Sequence, residues 1–230
     1  MVVLHYFRGR GRAETTRWML AANGIEFDNR SLATPEEFDA LKASGKLPFN
    51  QLVLLEIDGK CLTQSSATTR YLARKGDFYG DTPDEAVMCD MVVGAAGDFA
   101  EATLQYAFQP TRQAGLEMAG RCFAKFAPHF ERMLHENGAG HMAGKRLSFA
   151  DILLAEALSN YHEIAPDLLE TTPLLDALRR SVTALPGIAA YLGSPNRWPM
   201  PDATYVIDVA RVLRRALPAH MPDPDRFVAR

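Results

Sequence analysis

The sequence predicts an α+β domain followed by an all-helical one, on three observations. Short apolar runs alternate with helical patterns as far as about residue 77. After about residue 82 one helical pattern follows another with no convincing strand. Between them, Gly76-Asp77-Phe78-Tyr79-Gly80-Asp81 is a run of turn formers without periodicity. The domains are therefore expected at 1–77 and 83–230. A chain of 230 residues, 47% of them hydrophobic, has enough apolar material for the cores this requires.

Taken in order, Val2 to Phe7 reads as a short buried strand, followed by a turn at Gly9 and Gly11. A helix then runs from about Arg12 to Asn23, with Trp18, Ala21, Ala22 and Ile25 inward and Gly24 just past its end. Glu26 to Arg30 is a second, weaker strand. Thr34-Pro35-Glu36-Glu37 is a capping box with proline at the first helical position, so a short helix should cover Pro35 to about Ala43. Leu52 to Ile57 and Lys60 to Thr63 flank Asp58-Gly59, the strongest short hairpin signal. Ser65 to Lys75 closes the unit as a helix. The order is β-α-β-α-β-β-α, a β-α-β unit completed by a hairpin, which is a thioredoxin-like arrangement.

Thr82-Pro83-Asp84-Glu85 restarts the chain as helix with a second capping box. Two long helices are expected at about 83–108 and 112–136, separated from a third, opened by Ser148-Phe149-Ala150-Asp151, by the turn Asn137-Gly138-Ala139-Gly140. Shorter helices follow at about 173–183 and 186–192. A last one near 203–216 carries Val206, Val209, Ala210, Leu213 and Leu217 at helical spacing. Pro218, Pro222 and Pro224 make the tail extended.

Composition excludes several classes of function. Lys+Arg is 25 against Asp+Glu 28, a net charge of −3, which provides no field to gather nucleic acid or an anionic membrane. The first seven residues have no basic leader, and the apolar stretch ends at Arg8, so they fit neither a signal peptide nor a membrane span. The three cysteines, Cys61, Cys89 and Cys122, form no CxxC pair and no disulfide framework, which points to the reducing cytoplasm. They read as small buried hydrophobes. The histidines never take HExxH spacing, and His129 and His135 share no helix face, so no metal is expected.

The glycine-rich basic turn Phe7-Arg8-Gly9-Arg10-Gly11-Arg12 fails as a dinucleotide or phosphate loop: GxGxxG needs glycine where Glu14 stands, and the P-loop Lys-Ser/Thr is missing. A different reading joins it to the rest of the chain. Tyr6, Arg12, Gln51, Gln64, Ser65 and Asp98, with Leu4-His5-Tyr6-Phe7, Leu47-Pro48-Phe49, Gln64-Ser65-Ser66-Ala67, Leu147-Ser148 to Asp151 and Pro173-Leu174-Leu175, stand in order along nearly the whole chain. Together they resemble the cytosolic glutathione S-transferases of the tyrosine type, nearest the alpha and sigma classes.

The chemistry asked of those residues is physical. A free thiol titrates near 8.5 and is mostly protonated at neutral pH, while only the thiolate is a good nucleophile. A tyrosine O–H donating to the sulfur, or a positive helix end with an arginine beside it, favours the anion. The resemblance implies that Tyr6 is the catalytic hydroxyl, Arg12 its electrostatic helper, and glutathione the co-substrate. It further implies glutathione contacts from Lys42, Gln51, Leu52, Gln64, Ser65 and Asp98, the last reaching into the neighbouring subunit of a homodimer. Ser65, at the start of a helix, suits a carboxylate. Phe49 takes the place of an aromatic key at the dimer interface, with Phe130 in its lock. An apolar pocket for a hydrophobic electrophile is expected among Phe7, Gly11, the first long helix around Met91 to Gln105, and Val209 and Leu213. One position departs from the family pattern. Val53 stands where a proline follows a cis bond, and a non-proline cis bond costs about 3 to 4 kcal/mol, so Leu52-Val53 is expected to be strained or trans.

The function expected is glutathione conjugation to soft electrophiles. A glutathione-dependent isomerase, or a carrier that keeps the fold but has a weakened glutathione site, stay open beside it.

Overall fold

The computed structural model describes residues 1–221. Strand β1 (Val3–Phe7) leads through a 3-10 turn (Gly11–Ala13) into α1 (Glu14–Ala22). Then follow β2 (Asp28–Leu32), α2 (Pro35–Ala43), β3 (Leu54–Ile57), β4 (Lys60–Thr63) and α3 (Ser65–Lys75). The sheet order is β2-β1-β3-β4, with β1 parallel to β2 and antiparallel to β3. All five residues of β1 are buried because it is a central strand, with helices to cover its faces. This is the predicted thioredoxin-like arrangement.

Local signals act where the sequence placed them. Asp58 and Gly59 both take positive φ, 51° and 72°, the two-residue turn that matches strand twist, and Ile57 pairs with Lys60 across it. Thr34 caps α2: its hydroxyl accepts from Glu37 N–H at 3.3 Å, and the Glu37 carboxylate accepts from Thr34 N–H at 3.1 Å. Leu52–Val53 is cis.

The helical part comprises α4 (Pro83–Leu104), α5 (Arg112–Asn137), α6 (Phe149–Ile164), α7 (Pro173–Thr183), α8 (Pro186–Leu192) and α9 (Ala203–Val212). α6 is buried on nearly every side and forms the axis on which the others pack. Its Tyr161 stacks on Phe99 of α4 with ring centroids 4.3 Å apart, and its O–H donates to the Phe99 carbonyl at 2.9 Å. At its start, the Asp151 carboxylate accepts from both the N–H and the hydroxyl of Ser148, and from Met142 N–H. The linker is held firmly: Tyr79 stacks on Phe149 at 4.6 Å and Phe149 N–H donates to the Phe78 carbonyl at 2.7 Å.

Several predicted boundaries move. β2 begins at Asp28 rather than Glu26, because pairing with β1 starts where Asp28 N–H meets the Val2 carbonyl. The helix expected from Arg12 is a 3-10 turn until Glu14, and the one expected to 108 ends at Leu104, with a second 3-10 turn at Tyr106–Phe108. A third such turn, Pro166–Thr171, had no sequence signal. α9 stops at Val212 rather than 216: Arg214 turns to φ +50° and its guanidinium is drawn to Glu36 and Asp39 of α2. Cys61 is exposed on β4, not buried as expected, whereas Cys89 is buried. Pro222 and Pro224 lie outside the described residues.

Candidate active site

β1 ends on Tyr6 and Phe7, both buried, and the chain then turns at Gly9 and Gly11 into α1. Tyr6 is 6% exposed, and its hydroxyl accepts a hydrogen bond from the Arg12 N–H at 3.0 Å. The group of Arg12 that touches Tyr6 is therefore its backbone. The guanidinium instead reaches across to α4, donating to Glu101 Oε2 at 2.8 Å, a half-exposed pair worth little in stability. Gly11 and Arg12 form the rim of a cavity of about 300 Å³ between the domains. Ser65, Ser66 and Thr69 of α3 continue one wall, and Val93, Ala96, Ala100 and Leu104 of α4 make the other apolar.

Gln64, just before α3, holds φ +68°, ψ 116°, a conformation that costs a non-glycine residue about 1 to 3 kcal/mol and concentrates at ligand sites. Its amide donates to Gln51 Oε1 at 2.9 Å, bringing together two residues the sequence placed in the site. Ser65 is the first residue of α3, not its cap, and no side chain caps that helix, whose N-terminal N–H groups suit an anion. Leu52 is half-buried on the same approach.

Other expected residues lie elsewhere. Lys42 on α2 pairs with Asp39 at 2.6 Å. Hydrogen bonds from Lys42, then Arg214, hold the Asp39 carboxyl below its usual range. Asp98 is exposed on α4 and forms no ion pair among the described residues. Phe49 is 63% exposed, so it is not a core residue under the hairpin. Phe130, expected in a surface lock, is 2% exposed, packed against Phe99 and Phe126. It belongs to the core and could only back such a socket. Val209 and Leu213 are half-buried and do not line the cavity. The α9 residue that comes to the Tyr6 turn is Tyr205, which was not singled out. Its place four residues before Val209, on the same helical stripe, was the available signal.

Beneath the site two buried carboxyls face opposite fates. Glu14 of α1 accepts from Trp18 Nε1 at 3.2 Å, from the Tyr191 hydroxyl at 2.9 Å, from Arg17 at 3.1 Å and from Arg197. Burial alone would raise its pKa, but Arg17, Arg197 and Arg10 outweigh that and hold it below the usual range. Glu156 of α6 makes no ion pair among the described residues: burial, then the charge of Glu14, pushes its carboxyl up to about 7, against the opposing pull of Asn160, which donates to it at 2.8 Å, and of the more distant Arg197 and Arg10. The folded state thus binds a proton at Glu156 that the unfolded chain releases above about 4.3, so stability falls as pH rises from there towards 7. In Glu156→Gln this decline, up to about 3 kcal/mol, is expected to vanish. Thermal midpoints of both proteins at pH 5 and pH 8 check it, and parallel pH dependences would disprove it.

Among the described residues, no group of three or more His, Cys, Asp or Glu is placed to hold a metal, and no helix is long and apolar enough to cross a membrane.

A thioredoxin-like sheet with a tyrosine hydroxyl at the end of its first strand thus meets an open helix N-terminus and an apolar helical wall around one cavity. Comparisons with known proteins give the family. Residues 2–74 match the glutathione S-transferase N-terminal domain and residues 97–195 the C-terminal domain. The chain is 38% identical over 203 residues to glutathione S-transferase alpha M14 of Sus scrofa, covering 86% of this chain and 91% of that one. It is also similar to the solved glutathione S-transferase of Ascaris lumbricoides (TM-score 0.72, 32% identity, 84% and 96% covered). A third similarity is to prostaglandin synthase D of Nilaparvata lugens (TM-score 0.71, 27% identity, 86% and 99% covered). The chain belongs to the glutathione S-transferase family.

Proposed function

We propose that this enzyme conjugates reduced glutathione to soft hydrophobic electrophiles, with Tyr6 holding the sulfur as thiolate. The observation that carries the reading is the Tyr6 hydroxyl, which accepts from Arg12 N–H at the cavity rim and so keeps its own proton free to donate to sulfur. The α3 N-terminus with Gln64 and Ser65 takes the γ-glutamyl carboxylate, and Gln51 and Leu52 flank the peptide. The thiol proton leaves to water. The thiolate then attacks an electrophilic carbon, forming the S–C bond as a leaving group departs or as the adjacent carbanion is protonated by water. The α4 wall keeps the apolar reactant beside the sulfur.

Lys42, on leaving Asp39, and a second subunit's Asp98 complete the ligand shell in a homodimer, with exposed Phe49 as its anchor and exposed Val87 and Met91 of α4 as further apolar surface. Phe49→Ser is expected to raise the dimer dissociation constant by about thirtyfold or more, as the loss of one aromatic anchor does. Sedimentation velocity reads this, and unchanged association would remove Phe49 from the interface. The free cysteines fit a cytoplasmic enzyme.

An ultraviolet difference titration with reduced glutathione tests the main reading. A saturable thiolate band that Tyr6→Phe abolishes supports it. Absence of any saturable band favours a ligand carrier, while a band without conjugation of any electrophile favours an isomerase.

A further inference from the structure

Gly9 and Gly11 are explained by a side chain from the other end of the chain. A Cβ on Gly9 would collide with ring carbons of Tyr205, and one on Gly11 would lie 2.6 Å from the Tyr205 hydroxyl oxygen and 2.6 Å from that of Tyr6. The Tyr205 ring therefore rests on Gly9, and the two hydroxyls converge over Gly11, where only the absence of a side chain leaves room. The Asp202 cap of α9, which accepts from Tyr205 N–H at 3.0 Å, fixes the first turn that carries this ring.

Resting on the thiolate reading above, we infer that Tyr205 is a positioning residue for Tyr6. Its O–H donates to the Tyr6 oxygen, which already accepts from Arg12 N–H, so that the only proton left on Tyr6 points at the thiol sulfur. A hydroxyl that accepts two hydrogen bonds is the stronger donor, and the thiolate gains from it without any bond to Tyr205 forming or breaking. Burial, and then Tyr6 itself, push the Tyr205 phenol well above its ordinary range, so it stays protonated and able to donate. The charged groups around the pair are Arg12, Arg17 and Arg8 from the turn and α1, Asp202 at the cap of α9 and Asp208 on it; just past the end of α9, Arg214 pairs with Glu36 and Asp39 of α2. The arginines keep their charge through the neutral range. Glu156, which lines the same cavity, titrates at about 7 as well, so the step is assigned to the thiol by the thiolate band, which reports the sulfur directly, and the activity profile is compared with it.

The test is a pH titration of the thiolate band in wild type and Tyr205→Phe, each saturated with reduced glutathione, together with the pH profile of kcat/KM. Phenylalanine keeps the ring on Gly9 and removes only the hydroxyl, and the thermal midpoint verifies folding. The midpoint of thiolate formation should rise by about half to one unit, so that activity below it falls roughly three- to tenfold and recovers at high pH. An unmoved midpoint, or an equal loss at every pH, overturns the inference, the latter meaning that Tyr205 serves the electrophile or the packing. No thiolate band in the wild type itself would sink the transferase reading and this inference with it.

Discussion

Tyr6→Phe is expected to lower kcat by roughly ten- to a hundredfold, since a hydrogen bond to a charged group contributes about 1.5 to 3 kcal/mol. The loss should fall on kcat, with the KM for glutathione nearly unchanged, because the groups proposed to hold the tripeptide, the α3 N-terminus and Gln51, are other than the phenol. Tyr6 is already enclosed and Phe7 packs edge-on against it at 5.1 Å, so phenylalanine fills the same space and the fold is kept. Arg12 N–H then loses its acceptor, a small cost at a cavity rim that water reaches. Steady-state kinetics with a generic aromatic electrophile measure the effect. A variant with wild-type kcat would remove Tyr6 from the mechanism.

The largest stability effect belongs to Glu14→Gln. Neutralising this carboxylate leaves Arg17, which is fully buried, without its counter-charge and Arg197, which is largely buried, with Glu163 alone, and the new amide would face the Trp18 and Tyr191 donors. Removing one member of a buried ionic cluster costs about 3 to 5 kcal/mol. For a chain of this size that is a fall in Tm of about 10 °C. The pH dependence has a definite sign. The Glu14 pKa is depressed in the folded state, so its contribution is complete above the unfolded value near 4.3 and is lost as pH falls through the lower folded value. Calorimetry at neutral pH and at pH 3 should show a wide gap between wild type and variant at the first and a narrower one at the second. A drop of under about 2 °C at neutral pH would mean that the cluster is solvated and exchangeable.

Glu14 also explains how the domains stay in register. It sits in α1 of the sheet domain but is held by Tyr191 of α8 and by Arg197, while Arg10 from the turn donates to Asn160 and Glu163 of α6. The turn that carries Tyr6 and Arg12 is thus fixed to the helical domain by ionic contacts directly beneath the cavity. This placement was invisible in the sequence, where Arg10 stands only as one arginine of a glycine-rich basic turn and Arg17 carries no signal.

Whatever depends on neighbours in the chain was legible. The Asp58-Gly59 hairpin, the Thr34 and Thr82 caps, the buried run Val3–Phe7 and the α3, α7 and α8 boundaries follow from local dihedral preference and periodicity, which act over a few residues. The order of Tyr6, Arg12, Gln51, Gln64 and Ser65 was likewise sufficient to carry the resemblance to the glutathione S-transferases, the family to which the chain belongs. Only the tertiary structure decided what those residues touch. It gave Arg12 to Glu101, Lys42 to Asp39 and Phe130 to the core, stopped α9 at Val212, and replaced Val209 and Leu213 with Tyr205 as the α9 side chain over the reactive turn. These are contacts between elements far apart in sequence, and their partners are chosen by packing geometry and charge compensation after the elements have formed.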